Sequence, residues 1–184
     1  MEKKALRQWI LRRLREQPAK TRLAKSRIIG RKVCRLPSYR RAKTILCYVA
    51  IGGEVETRPL LSQAIADGKR VAVPATVGRS RRIIAVEIRD PERDLKKAGS
   101  FGVPQPARPL RRQLDLRKLD LILVPGVAFD RKRGRLGRGG GHFDRFLGKL
   151  PADVPSIGLA FRFQIIKRLP WEPHDRAVSR VITD

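Results

Sequence analysis

The stretch at residues 44–75, TILCYVAIGGEVETRPLLSQAIADGKRVAVPA, decides the fold. It opens with a continuous apolar, β-branched run at 44–50, the pattern of a strand buried on both faces. Thr57 can cap the helix that follows, Pro59 is tolerated in its first turn, and Gly68 supplies a left-handed stop. A second apolar run at 69–75 completes a strand–helix–strand unit. Such a unit implies parallel pairing through a right-handed crossover.

The rest of the chain extends this unit. Apolar residues three and four apart predict further helices, at 2–16, about 19–36 and about 141–150. Short apolar runs predict further strands, at 83–88, 120–125, 156–161 and 177–183. Residues 89–118 are rich in Pro, Gly and charge and predict a long surface excursion. Together these elements predict one three-layer α/β/α domain over residues 1–184, with a mostly parallel sheet.

Composition narrows the class of protein. A chain of 184 residues, 41% of them hydrophobic, fits one domain with a real core. No run approaches the roughly 18 uncharged apolar residues of a membrane span, and the basic beginning predicts no signal peptide. Cys34 and Cys47 cannot form a disulfide framework and lack the partners of a zinc site. We therefore expect a soluble cytoplasmic protein with no membrane partner.

The charge is strongly positive and unevenly distributed. The chain has 43 Lys and Arg against 17 Asp and Glu, a net charge of +26, and residues 1–43 alone carry +14. Such a surface attracts polyanions. Two interpretations stay open: a nucleic-acid binder, or an enzyme with anionic ligands. Aromatic residues make up only 5%, and no RNA-binding aromatic motif accompanies the charge.

Residues 125–146, PGVAFDRKRGRLGRGGGHFDRF, carry the chemistry. Glycine permits positive φ, so successive backbone N–H groups can form an anion nest, and the predicted helix adds the positive end of its dipole. Arg135, Arg138 and Arg145 suit phosphate oxygens. The loop matches neither the Walker nor the dinucleotide-binding fingerprint. A phosphate site is indicated without its ligand, and a flexible hairpin with exposed arginines is the alternative.

At these residues the chain resembles the 5-formyltetrahydrofolate cyclo-ligase family, also called 5,10-methenyltetrahydrofolate synthetases. Other segments follow the family's order: KKALR, YVAIGGEVETRPL, GKRVAVP, FGVPQP, IGLAF and EPHDRAVSRVITD. The resemblance implies a NagB/RpiA/CoA transferase-like fold. It also implies a monomeric ligase of one-carbon metabolism that converts 5-formyltetrahydrofolate to 5,10-methenyltetrahydrofolate, consumes MgATP and phosphorylates the formyl oxygen.

The resemblance also assigns roles to residues of this chain. Arg138 and His142 are the expected catalytic groups. The expected ATP contacts are Lys3, Lys4, Arg7, Arg135, Gly137, Arg138, Gly139, Gly140, Gly141, His142 and Phe143. The expected folate contacts are Val49, Glu54, Arg138, Gly139, Gly140, Gly141 and His142. Asp144 and Asp175 are the expected ligands of Mg²⁺.

Without the resemblance, several of these residues have simpler interpretations. Lys3 and Arg7, four apart on one helix face, would be a solvated basic surface. Asp144 would be a charge at a helix N-terminus and Asp175 a turn residue. Trp171 and Phe101 could stack on a folate ring, or simply pack.

The chain departs from the family pattern in two places and in its charge. His142-Phe143-Asp144 stands where the family commonly has Tyr-Tyr-Asp, so we expect an electrostatic role for His142. Arg138 replaces the Tyr or other residue often seen in bacterial members. The +26 charge exceeds what a small-molecule enzyme needs. These departures keep two alternatives open: a diverged member that associates with nucleic acid, or one that acts on another N-acyl substrate.

Overall fold

Short strands separated by helices form the framework of the computed structural model, which describes residues 2–78, 82–96, 102–172 and 175–184. Its strands are β1 (Thr44–Cys47), β2 (Arg70–Val77), β3 (Arg82–Ile88), β4 (Gln113–Leu114), β5 (Leu121–Val124), β6 (Ala128–Asp130), β7 (Arg135–Leu136), β8 (Ser156–Ala160), β9 (Ile165–Ile166) and β10 (Arg180–Thr183). Its α-helices are α1 (Lys3–Glu16), α2 (Ala19–Cys34), α3 (Pro37–Arg41), α4 (Arg58–Ala66), α5 (Pro91–Asp94) and α6 (His142–Leu147).

Seven strands form the main sheet in the order β10-β8-β5-β1-β2-β3-β4. The first five strands of that order pair in parallel, whereas β3 and β4 are antiparallel to their neighbours. The predicted β1–α4–β2 unit and the mostly parallel sheet are therefore confirmed. Within the described ranges, no helix is long and apolar enough to cross a membrane.

Alternate residues of β5 show how the layers form. Leu121 and Leu123 point into one core with the buried side chains of α1, α2 and α4, whereas Ile122 and Val124 point into a second core with Phe146 of α6. Both faces of the strand are fully buried. Its continuous apolar run follows from this, because each face is covered by a helical layer.

The start of α4 differs from the prediction. Thr57 does not cap the helix. Its hydroxyl donates to the carbonyl of Tyr48 at 2.7 Å and accepts from the N–H of Ala50 at 3.2 Å. These bonds tie the chain after β1 to the entrance of α4, where the hydroxyl meets two backbone groups that no strand partner satisfies. Gly68 ends the element with φ +74°, as predicted.

The described residues of the segment 89–118 contain regular elements that a surface excursion would lack. Its described part contains α5, a 3₁₀ turn at Pro109–Arg112 and β4, which adds the edge strand. Leu114 of β4 is 4% exposed and belongs to the second core. The prediction was wrong here because a two-residue strand carries no readable periodicity.

A second sheet of three strands, β7-β6-β9, was not predicted. The ring of Phe129 in β6 lies between Gly126 and Gly158, and a Cβ atom on either glycine would come within 2.4 Å of that ring. The small sheet is thereby fixed against the chain just after β5 and against the middle of β8. The naming of the fold as NagB/RpiA/CoA transferase-like stays a prediction.

Candidate functional site

A cavity of about 470 Å³ opens at the carboxyl ends of β1 and β5. Ligands of open parallel sheets bind at this edge. Its wall consists of Leu11, Tyr48, Val49, Ile51, Glu54, Pro74, Thr76, Ile83, Val103, Gln105, Pro125, Gly126, Val127, Arg135, Gly137, Arg138, Gly140, Gly141, His142 and Phe143. The loop after β1 therefore faces the glycine-rich loop that the sequence singled out.

Residues 137–141, the glycine tract, are held by arginines through backbone carbonyls. Arg7 Nε donates to the carbonyl of Gly137 at 2.9 Å, and Arg145 Nη2 donates to that of Gly140 at 3.0 Å. Gly139 has φ +108° and Gly141 has φ +61°. Side chains with a Cβ rarely adopt these values, so the tract needs glycine for its path.

Arg138, in the middle of the tract, reaches across the cavity to Glu54. Its Nε and Nη2 donate to Glu54 Oε1 at 3.0 and 2.8 Å, and Nη2 also donates to the carbonyl of Ile51. The other carboxylate oxygen accepts the N–H of Ile51 at 3.1 Å. Burial raises the pKa of Glu54, and Arg138 and the Ile51 N–H offset part of that rise.

Arg135 and Asp144 form a buried pair beside the tract. Arg135 Nη2 donates to Asp144 Oδ1 at 2.7 Å, and the arginine side chain is only 2% exposed. Its Nη1 donates to the carbonyl of Pro125, while Nε lacks a hydrogen-bond partner. The guanidinium also lies 5.8 Å from the ring of Phe143. Asp144 therefore neutralises a cation on the cavity wall.

Lys3 at the start of α1 binds the C-terminal segment. Its Nζ lies 2.7 Å from Asp175 Oδ2 and 3.0 Å from Glu172 Oε1. Burial lowers the pKa of Lys3, but its hydrogen bonds to both carboxylates outweigh that effect and the pKa is raised. The N–H of Arg176 donates to Asp144 Oδ1 at 3.3 Å, so the segment that carries Asp175 also touches Asp144.

The two predicted metal ligands are thus neighbours in the fold, and each is bonded to a cation. No cluster of three or more acidic, His or Cys side chains suited to a metal occurs in the described ranges. Mg²⁺ in nucleotide enzymes is usually held by one or two carboxylates plus phosphate oxygens. Asp144 and Asp175 fit such an ion only if phosphates complete its ligand set.

His142 opens α6 and lines the cavity. Its Nδ1 lies 3.0 Å from Arg145 Nη2, so the guanidinium is placed to donate to the imidazole. The neighbouring Phe143 packs edge-on against Phe146, with ring centroids 6.1 Å apart. The imidazole thus takes a polar position at the cavity, whereas Phe143 contributes packing.

The structure brings most of the residues predicted for the site together. Nine of them form the cavity wall: Val49, Glu54, Arg135, Gly137, Arg138, Gly140, Gly141, His142 and Phe143. Arg7 and Gly139 lie directly beside that wall, since a Cβ atom on Gly139 would be 3.5 Å from the Arg7 guanidinium.

Other predicted residues lie away from the cavity wall. Lys3, Asp144 and Asp175 form the charged cluster behind it. Lys4 is exposed on α1, and Trp171 is 56% exposed. Phe101 falls outside the described residues.

Sequence reasoning overlooked two polar residues of the wall, Gln105 and Thr76. Gln105 is 7% exposed, and its Oε1 accepts the N–H of Thr76 at 2.9 Å. The signal for Gln105 in the sequence is that it has the only polar side chain of the segment FGVPQP.

Comparison with known proteins identifies the family of the chain. The family model of the 5-formyltetrahydrofolate cyclo-ligase family matches residues 1–184. The chain is 30% identical to the 5-formyltetrahydrofolate cyclo-ligase of Mus musculus, over 98% of this chain and 92% of the relative. It is 33% identical to the enzyme of that name from Haemophilus influenzae, over 74% and 73% of the two chains.

Solved structures agree as well. The 5,10-methenyltetrahydrofolate synthetase of Aquifex aeolicus superposes with a TM-score of 0.86 at 30% identity, covering 100% of this chain and 90% of that chain. The synthetase of Mycoplasma pneumoniae superposes with a TM-score of 0.79 at 25% identity, covering 100% and 99%. With the family model matched from end to end, the chain belongs to the 5-formyltetrahydrofolate cyclo-ligase family.

Proposed function

We propose that the protein cyclises 5-formyltetrahydrofolate to 5,10-methenyltetrahydrofolate in this cavity, with ATP converted to ADP and phosphate. We expect it to act as a cytoplasmic monomer. Family membership supports the reaction. The single observation that carries its location is the opposition of Glu54 and the glycine tract across one cavity. An acceptor for the N–H groups of a pterin lies on one wall, and cationic groups suited to phosphates surround the other.

The reaction needs a better leaving group than the formyl oxygen. Transfer of the γ-phosphoryl group of ATP to that oxygen gives ADP and an iminium phosphate. N10 then attacks the formyl carbon and loses its proton, and the oxygen departs with phosphate. Such a transfer depends on positioning and on neutralising the moving charge.

The residues of the glycine tract supply both requirements in our proposal. Gly140 and Gly141 give the backbone the freedom to turn successive N–H groups towards phosphate oxygens, as in other anion nests. Arg138 and His142 border the same space and stabilise the charge on the group in transfer, which makes them the proposed catalytic residues. Arg7 and Arg145 hold the tract in place through its carbonyls.

The nucleotide would reach the tract from α1. Lys3 and Arg7, one helical turn apart, would contact the phosphates, together with Arg135 and the backbone at 137–143. Lys4 belongs to the same proposed set. Asp144 and Asp175 would hold Mg²⁺ with the phosphate oxygens, and the ion would neutralise phosphate charge. The existing bonds of both carboxylates to Arg135 and Lys3 hold them in place.

The folate would lie against the wall of the cavity that carries Glu54. Val49 is apolar and 4% exposed, suited to one face of a ring, and Glu54 would accept hydrogen bonds from the pterin. Residues 138–142 would then contact the formyl end of the folate. Trp171 and Phe101 stay predictions as stacking residues.

The test follows the product. Purified protein with MgATP and 5-formyltetrahydrofolate should form the methenyl compound, seen by its near-ultraviolet absorbance, with one ADP per product. Glu54→Gln should raise the KM for the folate far more than the KM for ATP. The matched control is Glu56→Gln, because its amide oxygen can still accept from the N–H groups of Thr57 and Arg58. Absence of product although both ligands bind would overturn the proposal.

The sequence left one alternative open, a related reaction on another N-acyl substrate, which the family match does not favour. His142 stands where the family commonly has tyrosine, next to Arg145. His142→Tyr separates the candidates. If the parent acts on a different substrate, the variant should gain cyclo-ligase activity; if it is a true cyclo-ligase, the variant should not exceed it.

A further inference from the structure

The first 43 residues carry more positive charge than the proposed reaction uses. They hold 16 basic and 2 acidic side chains. Only three of the cations, Lys3, Lys4 and Arg7, belong to the proposed nucleotide site. Most of the remainder lies on α1, α2 and α3, outside the cavity wall. This surplus therefore calls for a partner other than ATP or a folate.

Three cations of α2 and its C-terminal cap residue lie along one line. Arg27, Arg31 and Arg35 are four residues apart, and Lys20 lies two turns before Arg27; Arg35 is the C-terminal cap residue of the helix. At about 100° and 1.5 Å per residue, the four lie on one side of the helix over roughly 22 Å. All four are exposed. We call these four residues the basic face of α2.

Within the described ranges, no acidic side chain neutralises the charge of the basic face. The helix contains no acidic residue. The neighbouring Lys25 lies 3.5 Å from Asp184 Oδ2 and Lys32 donates to the carbonyl of Thr183, but the four residues of the face have no acidic partner within the described ranges. Like charges four apart destabilise a helix by about 0.2–0.5 kcal/mol per pair. A polyanion laid along the helix would reverse the sign of this contribution.

We propose that the basic face of α2 binds the phosphate backbone of nucleic acid, without reading its bases. Arginine predominates on it, and a guanidinium matches phosphate oxygens with two donors. An anionic membrane fits less well, because a helix lying in a membrane inserts an apolar face. The apolar side of α2 is already used: Ile29 and Val33 are fully buried in the core. Leu23 and Ile28 are 39% and 37% exposed, but they lie about 140° apart around the helix and form no single apolar face.

The proposal determines how binding depends on salt. Each phosphate neutralised releases counterions, and log K falls with log salt by about 0.7 to 0.9 per contact. Four contacts therefore give a slope of about −3 to −4. Since no base is read, single-stranded RNA and duplex DNA of any sequence should bind with similar affinity at equal contact number.

The experiment compares two triple variants with the same loss of charge. Arg27→Gln, Arg31→Gln and Arg35→Gln remove three cations from the face. The control, Arg108→Gln, Arg111→Gln and Lys118→Gln, removes three exposed cations between β3 and β5. Fluorescence anisotropy with a labelled RNA and a labelled DNA duplex, across a salt series, gives affinity and slope. Turnover of 5-formyltetrahydrofolate verifies folding, because neither set touches the cavity.

We expect the face variant to bind at least about tenfold more weakly at physiological salt and to lose about two to three from the slope, with little change in the control. Equal weakening in both variants would show attraction to net charge alone and overturn the proposal. Binding to phosphatidylserine vesicles but not to nucleic acid would also overturn it. If the face variant fails to fold, ultraviolet cross-linking of the unmodified protein to RNA decides: cross-links outside residues 19–35 contradict the assignment.

Discussion

Arg138 donates two hydrogen bonds to a single oxygen of Glu54, from a position 84 residues further along the chain. A carboxylate offers about four acceptor positions, and the protein already fills three of them, two with Arg138 and one with the N–H of Ile51. A ligand that donates to both oxygens must therefore displace part of the Arg138 contact. The two walls of the cavity are coupled through this pair.

The first prediction concerns the charge of Glu54. Arg138 lowers a pKa that burial raises, so Arg138→Met should let the carboxyl keep its proton to higher pH. A protonated Glu54 is a poorer acceptor, and the KM for 5-formyltetrahydrofolate should rise on the acid side and recover as the pH is raised. Arg138→Lys, which keeps a positive charge, should restore part of the original profile. Superimposable pH profiles for the parent and the methionine variant would refute this role.

The second prediction concerns stability behind the cavity. Asp144→Ala would leave the buried guanidinium of Arg135 without its counter-charge, at a cost of about 3 kcal/mol. Asp175→Ala should cost about 1 kcal/mol, because Lys3 is more exposed and keeps Glu172. Urea denaturation of both variants measures the difference. Equal losses would mean that the burial of Arg135 does not determine the cost.

The third prediction separates two lysines of α1. Lys3→Ala should raise the KM for ATP about tenfold, the effect of losing one charge-assisted hydrogen bond. Lys4→Ala, which removes a side chain more exposed than that of Lys3, should change it less. Initial rates at saturating folate give both values. A larger effect at Lys4 would place the nucleotide on the outer side of α1.

The fourth prediction uses two glycines with similar backbone angles. Gly53 has φ +86° and Gly68 has φ +74°. A Cβ atom on Gly53 would lie 2.2 Å from the carbonyl oxygen of Leu14, whereas open space surrounds Gly68. Gly68→Ala should cost about 1 kcal/mol in unfolding free energy. Gly53→Ala should cost clearly more and also impair folate binding, because α1 must move away from the loop that carries Glu54. Similar losses of unfolding free energy in the two variants would show that the close approach of Gly53 to Leu14 does not determine the cost.

Sequence patterns predicted the framework because its signals are local. The apolar runs of β1, β2 and β5 each lie within one strand, and the apolar residues three and four apart lie within α1. The structure confirms all four elements. The small sheet of β6, β7 and β9 was not predicted because strands of two or three residues are too short for a period to be read.

The sequence indicated which residues belong to the site, but not which of them form hydrogen bonds and ion pairs with one another. The arginines and glycines of the tract follow from the chemistry of anion binding and from the family resemblance. That Arg138 meets Glu54, or that Lys3 meets Asp175 at a separation of 172 residues, depends on how the layers pack. Thr57 shows the same limit. Threonine is a common N-cap residue, but the hydroxyl of Thr57 forms hydrogen bonds with the backbone of Tyr48 and Ala50 instead.

The aromatic ring between Gly126 and Gly158 has a consequence for the cavity. The three positions share one volume, so a larger residue at either glycine is tolerated only together with a smaller one at Phe129. Because Gly126 also borders the cavity, a larger side chain there that reshapes the ligand space requires a smaller one at position 129, so core packing and cavity shape change together.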